Sequence, residues 1–311
     1  MDLHSRKFAY ASMGMLVVIW GFEYVAAKAA LEAVSTFPLV CLKYMLGLVT
    51  LCVVKLVQDR RFFAFRRQDL LVLIVCSVTG QLLYFACEYG AMSYLPVSTI
   101  SIVLAFMPAV SVVLEFFLYR KSPNRFMVAG IAAGIVGVVL VIGGGARDFF
   151  TGAGIGYLLI FGAVFCWNAY NFLTKKLAGH YTPLNLSYYQ ALCTALISLP
   201  FLLGDLPPAS AFAPGPVLGG LLFIGFLCEG VGFLIYVNAV HKIGPTPCAL
   251  FSSMLPVSTT FFGWLCLAEH ILPLQAAGGV IVIVSGVYVI REKGRLDSEL
   301  RIENGELRIE N

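Results

Sequence analysis

The sequence predicts an all-α integral membrane protein: ten transmembrane helices folded as two inverted five-helix repeats. Three observations predict it. The chain is 59% hydrophobic and only 12% charged, whereas a soluble globular domain is usually about 45–50% apolar and about 25% charged. So few charges do not clothe a soluble surface of 311 residues. Secondly, the chain divides into apolar runs long enough to cross a bilayer, which takes about 20 mainly apolar residues in a helix. Thirdly, the second half echoes the first: Trp20-Gly-Phe-Glu-Tyr-Val-Ala-Ala-Lys28 reappears as Trp167-Asn-Ala-Tyr-Asn-Phe-Leu-Thr-Lys175.

The elements follow in order. Residues 1–7 are polar, and Phe8 opens a run longer than a signal-peptide core with no small-residue cleavage site, so span one (8–28) is expected to remain in place. The further spans are expected at 37–57, 70–92, 97–119, 125–144, 154–175, 183–203, 216–240, 246–267 and 273–290. Leu95-Pro96, Ser122-Pro123-Asn124, Gly143-Gly144-Gly145, Thr182-Pro183, the Pro-rich 205–216 stretch, Gly244-Pro245-Thr246-Pro247 and Leu272-Pro273 separate them with turn chemistry. The tail 299–311 reads ELRIEN-G-ELRIEN, a repeat with no apolar face. The first repeat is assigned to 1–145, the second to 150–292, and a low-complexity cytoplasmic tail to 293–311.

Basic residues collect after the even-numbered spans: Lys55, Arg60, Arg61, Arg66 and Arg67; then Arg120, Lys121 and Arg125; Lys175 and Lys176; Lys242; and Arg291, Lys293 and Arg295. The other side holds only Lys28 and Arg147. Basic residues favour the cytoplasm, so both termini are expected there. The formal net charge of +4 therefore reads as orientation signals at span ends, and no nucleic-acid partner is expected. The nine cysteines are scattered through apolar runs without C-x-x-C or metal spacing. They read as packing residues, and neither a metal site nor a cofactor is expected.

The echo extends along the chain. Gln81, Phe85 and Glu88 of span three map to Glu229, Phe233 and Tyr236 of span eight. Met107-Pro108 maps to Leu255-Pro256, and the GVVLVI ending at Ile142 to the GVYVI ending at Ile290. Five spans per half is an odd number, so the second half enters the membrane from the opposite side. Inverted repeats are an architectural signature of secondary transporters, with binding near the midplane where the halves meet.

On Trp20-Gly21, the two Pro pairs Met107-Pro108 and Leu255-Pro256, the Leu267-Ala268-Glu269 ending of span nine and the Gly-rich spans five and ten, the chain resembles the drug/metabolite transporter superfamily, specifically its ten-span EamA-type transporters. It departs at Lys43-Tyr44, where the family often carries Arg before an aromatic, and at Tyr119-Arg120-Lys121, where the second half has Ala268-Glu269-His270. The resemblance implies an exporter of small metabolites such as amino acids in the cell membrane. It also implies a central cavity to which spans four and nine contribute around Ser98, Ser101, Ser252 and Ser253.

Ionised groups inside a bilayer cost at least about 2.5–3.5 kcal/mol on insertion scales and need an explanation. Trp20 and Glu23 share a face of span one. Gln81, Tyr84, Phe85 and Glu88 follow helical spacing in span three, as do Glu229, Gly232, Phe233 and Tyr236 in span eight. In span six, Trp167, Asn168, Asn171, Thr174 and Lys175 share a face. The functional reading is a central cavity lined by Trp20, Glu23, Gln81, Tyr84, Glu88, Trp167, Asn168, Asn171, Glu229 and Tyr236. Glu23 and Glu229 are then the candidates to carry protons, since burial favours a carboxyl's neutral form. The blander reading is interhelical polar glue, worth roughly 0.6–2 kcal/mol per pair.

Other charges have simpler expectations. Glu115 is expected to pair with a nearby Arg or Lys; Lys43 either snorkels outward or pairs with an acid; Glu269 is expected to favour the N-terminus of span ten. Gly130, Gly134 and Gly137 form a small stripe for close helix contact, as scaffold or subunit packing. No phosphate loop, H-E-x-x-H or G-x-S-x-G occurs, and the four histidines lie at span ends. Secondary transport is the leading reading, with an intramembrane enzyme or a receptor or scaffold as alternatives. The sequence leaves substrate, coupling ion and oligomeric state open.

Overall fold

The structure, a computed structural model, describes residues 6–58, 62, 65–120, 122–144, 152–177, 179–243 and 245–303. His4, Arg60, Arg61, Lys121, Gly145, Arg147, Gly244 and the last part of the ELRIEN tail lie outside the described residues. Ten described helices are long and apolar enough to cross a membrane: Lys7–Ala30, Thr36–Gln58, Arg67–Ala91, Val97–Tyr119, Arg125–Gly143, Gly154–Leu177, Pro183–Gly204, Pro216–Val240, Pro247–Leu267 and Pro273–Leu296. They are spans one to ten, and each lies within a few residues of its expected place, apart from the end of the last. The helix of span ten continues to Glu303, well past the expected end at 290. Below, the terminal face is the one where span one begins and span ten ends; the distal face is opposite.

The two halves repeat their backbone irregularities as well as their residues. Span four breaks at Ala105-Phe106 and resumes as Met107–Tyr119, with Pro108 in the first turn. Span nine breaks after Ser252 and resumes as Leu255–Leu267, with Pro256 in the same place. Proline lacks an N–H and fits the first helical turn, where that group has no partner in any case. Both helices then end in a left-handed residue, Arg120 (φ 56°) and Ala268 (φ 52°), the two described non-glycine residues with positive φ. Spans three and eight each loosen into a π-helical stretch, Ser77–Leu83 and Phe223–Gly232, a feature common at functional sites.

Packing explains the glycines of the Gly-rich spans. Span five lies along span ten, and at their crossing each backbone occupies the space a side chain would need. A Cβ on Gly137 would stand 2.8 Å from the Gly278 carbonyl oxygen, and one on Gly278 would stand 2.6 Å from that of Gly137. The small stripe thus serves contact within the chain. Outward, large apolar residues such as Val57, Leu71, Phe117 and Leu158 stay exposed, as befits a surface bathed in hydrocarbon. Inward, Leu39, Tyr44, Tyr89, Ile100 and Ile160 belong to one large core cluster.

Two peripheral charges behave differently from expectation. Glu269 does not serve span ten. Its carboxylate accepts from the Val97 and Ser98 N–H groups at 2.8 and 3.1 Å, capping span four, because the left-handed turn at Ala268 and the space over Gly263 direct it there. Lys55 is fully buried; it bonds Asn185 of span seven and lies 5.4 Å from the Tyr188 ring centroid. Glu115 pairs with Lys293 at 2.7 Å, as a lone acid at a span end should.

Candidate functional site

The centre of the bundle is built around a lysine. Lys43, on span two, is 1% exposed. Its ammonium donates to Glu23 Oε1 of span one at 2.6 Å and lies 3.2 Å from the Tyr89 hydroxyl oxygen. That hydroxyl donates to the same Glu23 oxygen at 3.1 Å. Glu229 Oε2, from span eight, stands 3.9 Å from the ammonium. The face of Phe85 closes the remaining side, its centroid 3.3 Å from Nζ, a cation–π contact. One turn beyond Lys43, Gly47 leaves room for Glu229: a Cβ there would come within 2.5 Å of Glu229 Cγ.

The third acid, Glu88, is held by hydroxyls. Tyr24 and Tyr84 donate to its Oε1 at 2.7 and 3.1 Å, and Glu88 is 4% exposed. Trp167 of span six packs on Tyr84 with centroids 4.8 Å apart, and on Tyr170 at 5.2 Å. Two carboxylates, Glu23 and Glu229, thus face one ammonium, and a third, Glu88, is held by two tyrosines. Buried charges persist only where partners and hydrogen bonds offset desolvation, and each of these acids has at least one.

The structure therefore brings together Glu23, Tyr84, Glu88, Trp167 and Glu229 among the predicted site residues. Trp20 and Tyr236 form a separate pair, 5.5 Å apart, packed with Met13, Leu16 and Ala239. Gln81 turns the other way: it accepts from Thr194 at 2.7 Å and approaches Gln190 at 3.5 Å, within a network that also includes Tyr170 and Thr174. Asn168 is buried and donates to its own helix at the Val164 carbonyl, 2.9 Å. Asn171 is exposed. Of the serines, Ser98 donates to Glu269 at 2.8 Å, and Ser101, Ser252 and Ser253 bond back to their own helices.

Sequence reasoning missed span two as the centre, and with it the roles of Tyr24 and Tyr89. The available signal was Lys43 itself: a mid-span cation with three mid-span acids elsewhere in the chain. Among the described residues, no group of three His, Cys, Asp or Glu side chains is arranged to hold a metal ion.

Ten membrane-length helices, in two halves that repeat their breaks in opposite orientation around a buried ion cluster, define an integral membrane transporter of small molecules. The chain belongs to the EamA-like transporter family, whose model matches residues 8–143 and 154–291. It is 25% identical over 286 residues to a Bacillus subtilis (strain 168) protein named "Uncharacterized transporter YetK", covering 90% of this chain and 86% of that one. It is 27% identical over 308 residues to an Escherichia coli (strain K12) protein named "Probable amino-acid metabolite efflux pump", covering 92% and 95%. A solved crystal structure, 19% identical, superposes with a TM-score of 0.66 over 94% of this chain and 99% of its own, a likeness of fold.

Proposed function

We propose that the protein is a secondary exporter of small metabolites such as amino acids, seated in the cell membrane with both termini in the cytoplasm. It works by alternating access, coupled to protons through Glu23 and Glu229. The observation that carries this reading is Lys43 between the two acids. Glu23 and Lys43 belong to the first half and share a short bond (2.6 Å), while Glu229 belongs to the second and stands at 3.9 Å. The weaker contact is the one that crosses between halves. When the halves rock, Lys43 travels with Glu23, and Glu229 loses its counter-charge. It then takes up a proton, or the ammonium of a solute, and gives it up when Lys43 returns. The name of the Escherichia coli relative supports amino acids as the first solutes to try.

The test is flux from proteoliposomes of a panel of amino acids, with and without a pH gradient. Glu23→Gln and Glu229→Gln are each expected to fold, to lower gradient-driven flux by about tenfold, which corresponds to ~1.4 kcal/mol, and to flatten its dependence on pH. If both variants transport like the parent with and without the pH gradient, the acids are packing glue. Cysteine tagging at Asp205 and Arg66 checks the orientation; labelling from the same side would overturn the inverted arrangement.

A further inference from the structure

The last turns of spans four and six meet at the terminal face, and between them lies a groove of about 310 Å³. Glu115 and Tyr119 of span four line one wall, and Phe172, Lys175 and Lys176 of span six line the other. The rings of Tyr119 and Phe172 stand edge to face across it, with centroids 5.9 Å apart. Glu115 is the carboxylate of the groove, and Lys293 of span ten already holds it at 2.7 Å. Lys175 and Lys176 are exposed, and among the described residues neither makes an ion pair. Arg120, next to Tyr119, adds a further exposed cation at the end of span four. The excess charge of the groove is therefore positive.

Basic residues at span ends commonly do no more than orient a chain. These are set apart by their surroundings. Lys28, which the register of the two tryptophans matches to Lys175, has the Glu269 carboxylate 3.6 Å away at the distal face; Lys175 looks outward. The groove also continues into the lipid-facing surface. Helical spacing carries the face of Tyr119 on to Phe116 and Val113, and the face of Phe172 on to Phe165 and Leu158, toward the membrane centre. All four are exposed. Tyrosines such as Tyr119 sit well at headgroup level, with cations on the water side of them and apolar walls on the other. A water-soluble anion would use the lysines and leave those walls idle. An anionic lipid uses both.

We propose that this groove binds one anionic phospholipid, its phosphate held by Lys175 and Lys176 and its acyl chains laid between spans four and six. Lysine binds phosphate as a point charge, and basic pockets between membrane helices take anionic lipid headgroups. Span four belongs to the first half and span six to the second, so a single lipid touches both halves. The site depends on no solute and no direction of transport, and it is measured without either. The experiment uses the full chain in a neutral detergent, with phosphatidylglycerol as the probe and phosphatidylcholine of the same acyl chains as the comparison. Native mass spectrometry counts the bound lipid and gives its affinity.

The parent is expected to retain one tightly bound phosphatidylglycerol and to hold phosphatidylcholine more weakly. Lys175→Gln with Lys176→Gln is expected to weaken phosphatidylglycerol about thirtyfold, which corresponds to ~2 kcal/mol, the scale for two lysines beside an anionic headgroup. The same change is expected to leave phosphatidylcholine as it was. Arg66→Gln with Arg67→Gln removes two exposed cations from the same face and is expected to leave phosphatidylglycerol binding intact. Equal affinity of the parent for the two lipids would mean an apolar surface without headgroup recognition. Equal losses in the two double variants would mean diffuse attraction to a basic face. Displacement of the lipid by an equal concentration of inorganic phosphate would mean a site for a soluble anion. Each of these results overturns the proposal. Should the lysine double variant not fold, Lys176→Gln alone decides: a loss of about fivefold supports the site, and an unchanged affinity overturns it.

Discussion

Spans three and eight loosen into π-helical stretches at matching points, Ser77–Leu83 and Phe223–Gly232, and the two stretches present different chemistry. In the first half the residue offered is Gln81, which meets Thr194 and Gln190 of span seven in a network of neutral groups. In the second half the residue at the same place is Glu229, which meets the ammonium of Lys43. One backbone device is used twice, once to fasten and once to carry charge. A neutral network gains little by letting go, because its groups would find no water in the bilayer. A carboxylate has a second option, since a proton or a cationic solute can replace the lysine. On the proposed mechanism, the difference between these two regions separates the part of the bundle that holds from the part that exchanges partners.

The sharpest way to break this comparison is to remove the shared cation. Lys43→Met leaves Glu23 and Glu229 without their cation, and stripping one partner from a buried ion pair typically costs about 3–5 kcal/mol. The variant is expected to lose most of its thermal stability in detergent and all gradient-driven flux, and adding Glu23→Gln is expected to restore part of the stability. A parent-like melting curve for Lys43→Met would show that the acids are neutral whether or not the lysine is there.

Gly47→Ala tests the charged π stretch without altering a charge. The new methyl would stand 2.5 Å from Glu229 Cγ, and overpacking of this kind costs about 1–3 kcal/mol. Transport is expected to fall further than stability, because the displaced group is Glu229. An equal loss in both would place Glu229 with the fastening residues. The smallest effect is expected on the neutral side. Gln81→Leu removes the acceptor for Thr194 and should lower stability by about 0.6–1.7 kcal/mol, the range for hydrogen bonds between membrane helices. Its flux should keep the parent's pH profile; a flattened profile would assign Gln81 to the exchanging part.

The echo at the start of each half shows how far such a site is legible in a sequence. Trp20 and Trp167 occupy matching positions, yet Trp20 packs on Tyr236 in a satellite cluster and Trp167 packs on Tyr84 beside the acids. Helical spacing places Asn168 and Asn171 on one face of span six, but the first is buried against its own helix and the second is exposed. Spacing says which side chains lie together on a helix. It does not say how that helix is rotated, or which neighbour it meets.

By itself, the sequence determined the ten spans, because a hydrocarbon core some 30 Å thick demands a certain length of apolar helix. It also determined the inverted repeat, because five crossings per half return the chain on the opposite side. It marked Glu23, Glu88 and Glu229 as charges in need of partners, since none is tolerated alone in lipid. Only the tertiary structure decided who those partners are. Lys43 satisfies Glu23 and faces Glu229, two tyrosines satisfy Glu88, and Glu269 reaches past span ten to cap span four. In each case several donors or acceptors elsewhere in the chain were chemically suitable. The choice fell to the packing of spans that are distant in sequence, where small residues such as Gly47 and Gly263 leave the space in which a charged side chain can reach across.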